Sequence, residues 1–184
     1  MNPCYFAVGV PIGEQYADQN ASKTAAQVLV ARDYVEVSPS DYRVWLNALA
    51  GIENPDIDAL HRLKAGNGQF PLIMWYDPES PDLHILASYR LALNGTLAGN
   101  HPDAPGQYRV ITPDLQTYDF DVRERAIWIG CWGPPTALSH VITRLSQHDT
   151  IDRETILRQV WQFVGRVLHA RLAYLLPAIS KVSS

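Results

Sequence analysis

The strongest constraint in this chain is a strand-to-helix passage that occurs twice. Val35-Glu36-Val37 alternates apolar and acidic residues as a half-buried strand does, and Ser38-Pro39-Ser40-Asp41 then reads as a helix start. Ser38 can accept the N–H of the third helical residue, Pro39 fits the first helical position, where its missing N–H is harmless, and Asp41 sits near the positive end of the dipole. At a constant offset of 83 residues, Tyr118-Asp119-Phe120 repeats the strand, Asp121 takes the place of Ser38, and Glu124 that of Asp41. Val44-Trp45-Leu46 then meets Ile127-Trp128-Ile129, Leu49 meets Trp132, and Cys131 falls on Ala48. After a one-residue gap, Leu60, Arg62 and Leu63 align with Ile142, Arg144 and Leu145. This is the form of a degenerate internal repeat; chance likeness between two unrelated strand-to-helix passages is the alternative, since few of the matches are identities.

The rest of the chain fits around these two passages. Val28-Leu29-Val30 precedes Tyr34-Val35-Glu36-Val37 as the other arm of a hairpin. Tyr42, Trp45, Leu46 and Leu49 mark one helical face, and Gly51 is a stop. Asn54-Pro55 opens a second helix that turns Ile57, Leu60 and Leu63 inward and ends at Gly66-Asn67-Gly68; Phe70 to Tyr76 is an apolar strand. In the second half Pro134-Pro135 opens a helix with an apolar face at Leu138, Val141, Ile142 and Leu145. A third helix begins at Asp152 and places Ile156, Leu157, Val160, Trp161, Val164, Val167 and Leu168 in one apolar sector. Arg171 to Leu176 is either a strand or the end of that helix. Between the halves, residues 77–114 carry five prolines and several glycine turns, with Asn94-Gly95 reading as a tight hairpin turn.

Charge and composition exclude some classes of function. The chain of 184 residues has a formal net charge of -4, which argues against a surface coated with nucleic-acid contacts. Residues 1–120 hold 7 Lys+Arg against 14 Asp+Glu, whereas residues 121–184 hold 8 against 5, so the last third is mildly basic. No segment has the apolar length of a membrane span, and no basic region precedes the first apolar residues, so a cytoplasmic protein without membrane association is expected. Cys4 and Cys131 are then two free thiols. The six histidines show no ligand spacing and no glycine cluster has phosphate-loop spacing, so no metal and no cofactor is expected.

Cys131 is the only candidate covalent nucleophile, with His140, His148 and His169 downstream as bases. Its position near the end of a helix favours a small packed residue instead, and no catalytic residue is assigned. Trp45, Trp128 and Trp161 fall on apolar helix faces, whereas Trp75 and Trp132 mark a contact surface if exposed. Arg158, Gln162, Arg166 and His169 line the polar face of the last helix.

That polar helix, following two shorter ones, resembles the third helix of a winged-helix module. The resemblance implies a helix able to enter a major groove, with these side chains reaching bases and phosphates. It covers the last third of the chain and, more weakly, residues 28–76, where a third helix is missing. The expected architecture is therefore α+β: an N-terminal segment 1–24, a first winged-helix-like unit 25–76, a Pro/Gly-rich connection 77–114 and a second such unit 115–184. The expected function is a non-enzymatic binding or adaptor protein that recognises a protein or peptide along a strand edge or in a helix groove, through Arg158, Gln162, Arg166, His169, Trp132 and Trp75. A DNA-binding regulator that uses the last helix is the second reading, and a cysteine-dependent enzyme built on Cys131 is the third. Self-association into a homo-oligomer is left open.

Overall fold

This computed structural model describes residues 2–16, 23–66, 68, 70–132, 136–148 and 150–178. The fold is α+β, with several small antiparallel sheets and, among the described residues, six α-helices. The first unit runs β1 (Cys4–Ala7), β2 (Val10–Tyr16), β3 (Lys23–Val30), β4 (Asp33–Val37), α1 (Pro39–Asn47), α2 (Ile57–Ala65) and β5 (Ile73–Tyr76). A short helix α3 (Leu83–Ser88) leads into β6 (Tyr89–Leu93), β7 (Thr96–Asn100), β8 (Tyr108–Ile111) and β9 (Thr117–Phe120). Then come α4 (Val122–Cys131), α5 (Leu138–His148), α6 (Arg153–His169) and β10 (Ala173–Pro177).

Both halves are wired alike. β2-β3-β4 and β7-β8-β9 are antiparallel meanders, and the first strand of each half pairs with its last, β1 with β5 and β6 with β10. Ala7 faces Ile73 as Leu93 faces Ala173, and Val10 faces Leu29 as Thr96 faces Ile111. Each meander carries a bulge at the same point, at Gly13 (φ 131) and Gly99 (φ 114), a backbone conformation open to glycine at little cost. Asp41 N donates to Ser38 Oγ at 3.1 Å, and Glu124 N donates to Asp121 Oδ1 at 2.8 Å within a complete capping box.

The second helices do not correspond as the sequence alignment has them. Gly66 N donates to Arg62 O and Leu72 N to Leu63 O; Ala170 N donates to Arg166 O and Leu172 N to Val167 O. By these bonds α6 holds the place of α2, Arg166 that of Arg62, and α5 is additional. Aligning Arg62 with Arg144 fails because helices that share an apolar periodicity can be matched in several registers, and only the bonds to the closing strand decide among them.

Other local differences have similar causes. The N-cap of α2 is Asp56, which accepts from Ala59 N at 2.8 Å, so Asn54-Pro55 lies before the helix and Ile57, expected to point inward, is 68% exposed. Asn94-Gly95 is no hairpin turn: β6 pairs with β10 and β7 with β8, and the chain only bends there. Asn94 N is held by Leu172 O at 2.7 Å, and a Cβ on Gly95 would meet Val110 Cγ1 at 2.9 Å, so the glycine marks a close approach. Residues 77–114 hold α3, β6, β7 and β8, short elements obscured by the prolines between them, and β1 and β2 lie before residue 25. Arg171 to Leu176 resolves into β10, after Arg171 adopts a left-handed φ of 56. Pro134-Pro135 and Asn67 lie outside the described residues.

The apolar core is continuous through both halves. Trp45, Trp128 and Trp161 are all buried within it, as their helix faces require. α6 joins the halves: Tyr76 stacks on Trp161 with ring centroids 4.8 Å apart and donates its hydroxyl to Trp161 O at 3.2 Å, while Trp161 Nε1 donates to Asp77 O at 2.6 Å. At Gly165 an added Cβ would lie 2.3 Å from the Tyr76 hydroxyl oxygen and 2.4 Å from Cζ. The tyrosine is buried, stacked on Trp161, set edge-on to Phe6 and bonded through its hydroxyl, so giving way would break these contacts. Gly165→Ala, a change that favours an isolated helix, is therefore expected to lower stability by about 1–3 kcal/mol in urea unfolding, and an unchanged midpoint would show that Tyr76 is free to move.

Candidate functional site

The polar stripe of α6 is exposed at all four positions, Arg158, Gln162, Arg166 and His169. Two of its arginines are already engaged. Arg166 pairs with Glu124, donates from Nη2 to Asp119 O at 2.9 Å, and sits over the Phe120 ring at 5.5 Å. Arg158 lies 3.5 Å from Glu154 one turn earlier on the helix. The counterpart in the first half is a two-bond fork from Arg62 to Asp41, Nε to Oδ2 at 2.8 Å and Nη2 to Oδ1 at 2.7 Å. The Arg62 hydrogen bonds hold the buried Asp41 carboxyl below its usual range.

A depressed carboxyl stabilises the fold above its unfolded pKa, and that contribution is lost as pH falls through the lower folded value. Asp41→Asn is therefore expected to cost about 1–2 kcal/mol near neutral pH, with the gap to wild type narrowing as pH falls below the ordinary aspartate range. Unfolding midpoints measured across pH check this; a constant gap would mean that the fork is not the cause.

The second feature is the outer edge of β4. The β3–β4 turn is two residues, Ala31-Arg32, with Val30 opposite Asp33 as the closing pair. Alternation of bonded and non-bonded pairs along an antiparallel ladder then turns the backbone groups of Tyr34 and Glu36 away from β3. Val35 and Val37 go to the core while Tyr34 is 64% exposed and Glu36 is exposed. The same edge of β9 is covered, since Arg166 donates to Asp119 O and the Tyr118 hydroxyl to Ala170 O at 3.4 Å. On β4 no such cover exists among the described residues. The alternation was visible in the sequence, but which strand lies at an open edge depends on the topology, so this edge was missed.

Trp75 and Trp132 are both exposed, at 43% and 55%. Trp75 stands on β5 against Tyr5, with ring centroids 4.7 Å apart, and Lys64 Nζ lies 5.0 Å from the Tyr5 ring. Trp132 follows the last turn of α4, beside exposed Ile129. The two tryptophans lie on different halves, Trp75 on β5 and Trp132 at the end of α4.

Cys131 is the last residue of α4, half-buried, and desolvation pushes its thiol up to about 12 despite the opposing pull of Arg144. A helix C-terminus also opposes a thiolate. Cys4 is likewise raised, to about 11, by burial. Under native conditions at neutral pH both thiols are expected to react with iodoacetamide at least about tenfold more slowly than in the unfolded chain, and rapid single-site labelling of Cys131 would refute this. Among the described residues no three His, Cys, Asp or Glu side chains converge as a metal site, and none of the helices is long and apolar enough to cross a membrane. An open concavity of about 620 Å³ between α3 and the end of β10, lined by Phe70, His84, Tyr89 and Pro177, brings no acid–base pair together. The chain matches no protein-family model, no curated protein and no solved structure.

Proposed function

We infer that this chain is a non-enzymatic binding protein that recognises another polypeptide and takes it up as an added strand on the outer edge of β4. A winged-helix-like use of the unit belongs to the same reading, with α1 and α2 as the helical body and the β3–β4 hairpin as the wing. The observation that carries it is the pair of outward-facing peptide groups at Tyr34 and Glu36, beside an exposed aromatic ring. An added strand would bond these groups at about 0.5–1.5 kcal/mol each, and the Tyr34 ring supplies apolar contact. Asp33 and Glu36 make the edge acidic, which selects a basic peptide and discourages two such edges from pairing with each other.

DNA recognition by α6 is less well supported, because Arg166 is already held by Glu124 and the Asp119 carbonyl. The test is fluorescence anisotropy with labelled extended peptides in which Lys or Arg alternates with Val or Thr, and with a mixed-sequence DNA duplex at low and high salt. Micromolar peptide binding is expected, weakened at least about tenfold by Glu36→Pro, which removes one outward N–H and leaves the inward ladder intact. Arg158→Ala and Arg166→Ala leave it unchanged. Peptide binding that ignores Glu36→Pro would sink the edge reading, and salt-sensitive duplex binding lost in the arginine variants would put DNA in its place.

A further inference from the structure

The two halves are joined by a contact that is made once although the chain carries the parts for it twice. In the contact that is made, the bend after β1 donates Gly9 N to Leu175 O on the outer edge of β10 at 2.8 Å. On the buried face of β1 and β5 that carries Phe6, Met74 and Tyr76, the Tyr76 ring lies against Trp161 and Gly165 of α6. The pairing registers give each of these groups a counterpart in the other half. Gly95 stands where Gly9 does, Trp75 where Leu175 does, and Arg90, Ala92, Tyr174 and Leu176 where Cys4, Phe6, Met74 and Tyr76 do. On the helices, the bonds that match Arg62 to Arg166 place Ile57 at the position of Trp161 and His61 at that of Gly165.

Among the described residues no backbone hydrogen bond or ring contact joins these counterparts. Tyr5 exchanges both backbone bonds with Ile52, so the peptide groups of Trp75 opposite it point to the free edge of β5. Ile57 and Trp75 are 68% and 43% exposed and His61 is exposed. At the other end Arg90, Ala92 and Tyr174 are partly exposed and of the four counterparts Leu176 alone is buried, whereas Cys4, Phe6, Met74 and Tyr76 are all buried. The docked bend also differs from the free one inside: Trp45 Nε1 donates to Val8 O at 3.2 Å, but Trp128 Nε1 is buried without a partner among the described residues. The relation between the halves is thus not a two-fold that closes on itself. It is a head-to-tail relation, which leaves one half of the contact open at each end.

We propose that the occupant of each open end is a second copy of this chain, with the Ile57, His61 and Trp75 surface of one copy docking on the Arg90, Ala92, Tyr174 and Gly95 surface of the next. The contact continues the one that already joins the halves. It lacks the aromatic stack of Tyr76 on Trp161, so it is weaker than its internal counterpart, with a dissociation constant of about 10–500 µM.

Sedimentation equilibrium of the full chain tests this. The weight-average mass is expected to rise from the single-chain 20.6 kDa toward twice that or more as concentration increases to several hundred micromolar. Ile57→Glu blocks one surface and Ala92→Glu the other, and each variant alone is expected to stay at the single-chain mass. An equimolar mixture of the two restores pairing and stops at two chains, because each variant keeps the surface that the other has lost. Circular dichroism verifies that both fold, and Arg90→Glu replaces Ala92→Glu if that variant does not. A wild-type mass that stays at one chain throughout, a variant that still associates alone, or a mixture that does not pair would each overturn the proposal.

Discussion

The close approach of α6 to β5 is the constraint on which the arrangement of the two halves depends. Gly165 has no side chain where the Tyr76 ring lies, and this lets Tyr76 stack on Trp161 and bond its carbonyl, while Trp161 reaches past to Asp77 O. These bonds tie together residues 85 and 84 positions apart in sequence. Burial of such aromatic surface is the largest single kind of favourable contribution available to a small domain, and it operates here only because one helix position is empty. α6 thereby serves two sheets at once. Its Phe163 packs edge-on to Phe120 of its own half, and its Trp161 side covers the other half.

A second, local device recurs in both halves with different consequences. A carboxylate at the third position of the first helix receives an arginine from the helix before the closing strand, Asp41 from Arg62 and Glu124 from Arg166. In the first half the arginine stops at the carboxylate. In the second it also reaches the Asp119 carbonyl and so closes the outer edge of β9. One bond more or less therefore decides whether the outer edge of the sheet is closed within the chain, as on β9, or bare among the described residues, as on β4.

The local grammar of both strand-to-helix passages was legible in the sequence: Ser38 and Asp121 cap, Asp41 and Glu124 stand in the first turn, and Trp45 and Trp128 go inward. What was not legible follows from the range of the interactions. The partner of Arg62 and the counterpart of Arg166 depend on bonds to β5 and β10, and Ile57, apolar and in helical phase, is exposed because the helix cap lies two residues later than the proline suggested. β6 to β8 were hidden because their strands are only four or five residues long and separated by proline and glycine, so periodicity had too little length to act on. Of the candidate site, the exposure of the α6 stripe agrees with its helical pattern, whereas the exposure of Trp75 and Trp132 could not be read from the sequence, and the pairing of Arg166 with Glu124 is a tertiary fact.

The differences between matched positions also say which surfaces are under structural demand. Where Cys4, Phe6, Met74 and Tyr76 are all buried, their counterparts Arg90, Ala92 and Tyr174 are partly exposed and Leu176 alone is buried. Arg90 keeps a buried Nε without a partner among the described residues, and desolvation lowers its pKa. A lone guanidinium held partly out of water is unfavourable unless something receives it, and a purely solvated face would let it turn outward. The matching helix face tells the same story from the other side, since Trp161 becomes Ile57 and Gly165 becomes His61, apolar at the centre and polar beside it.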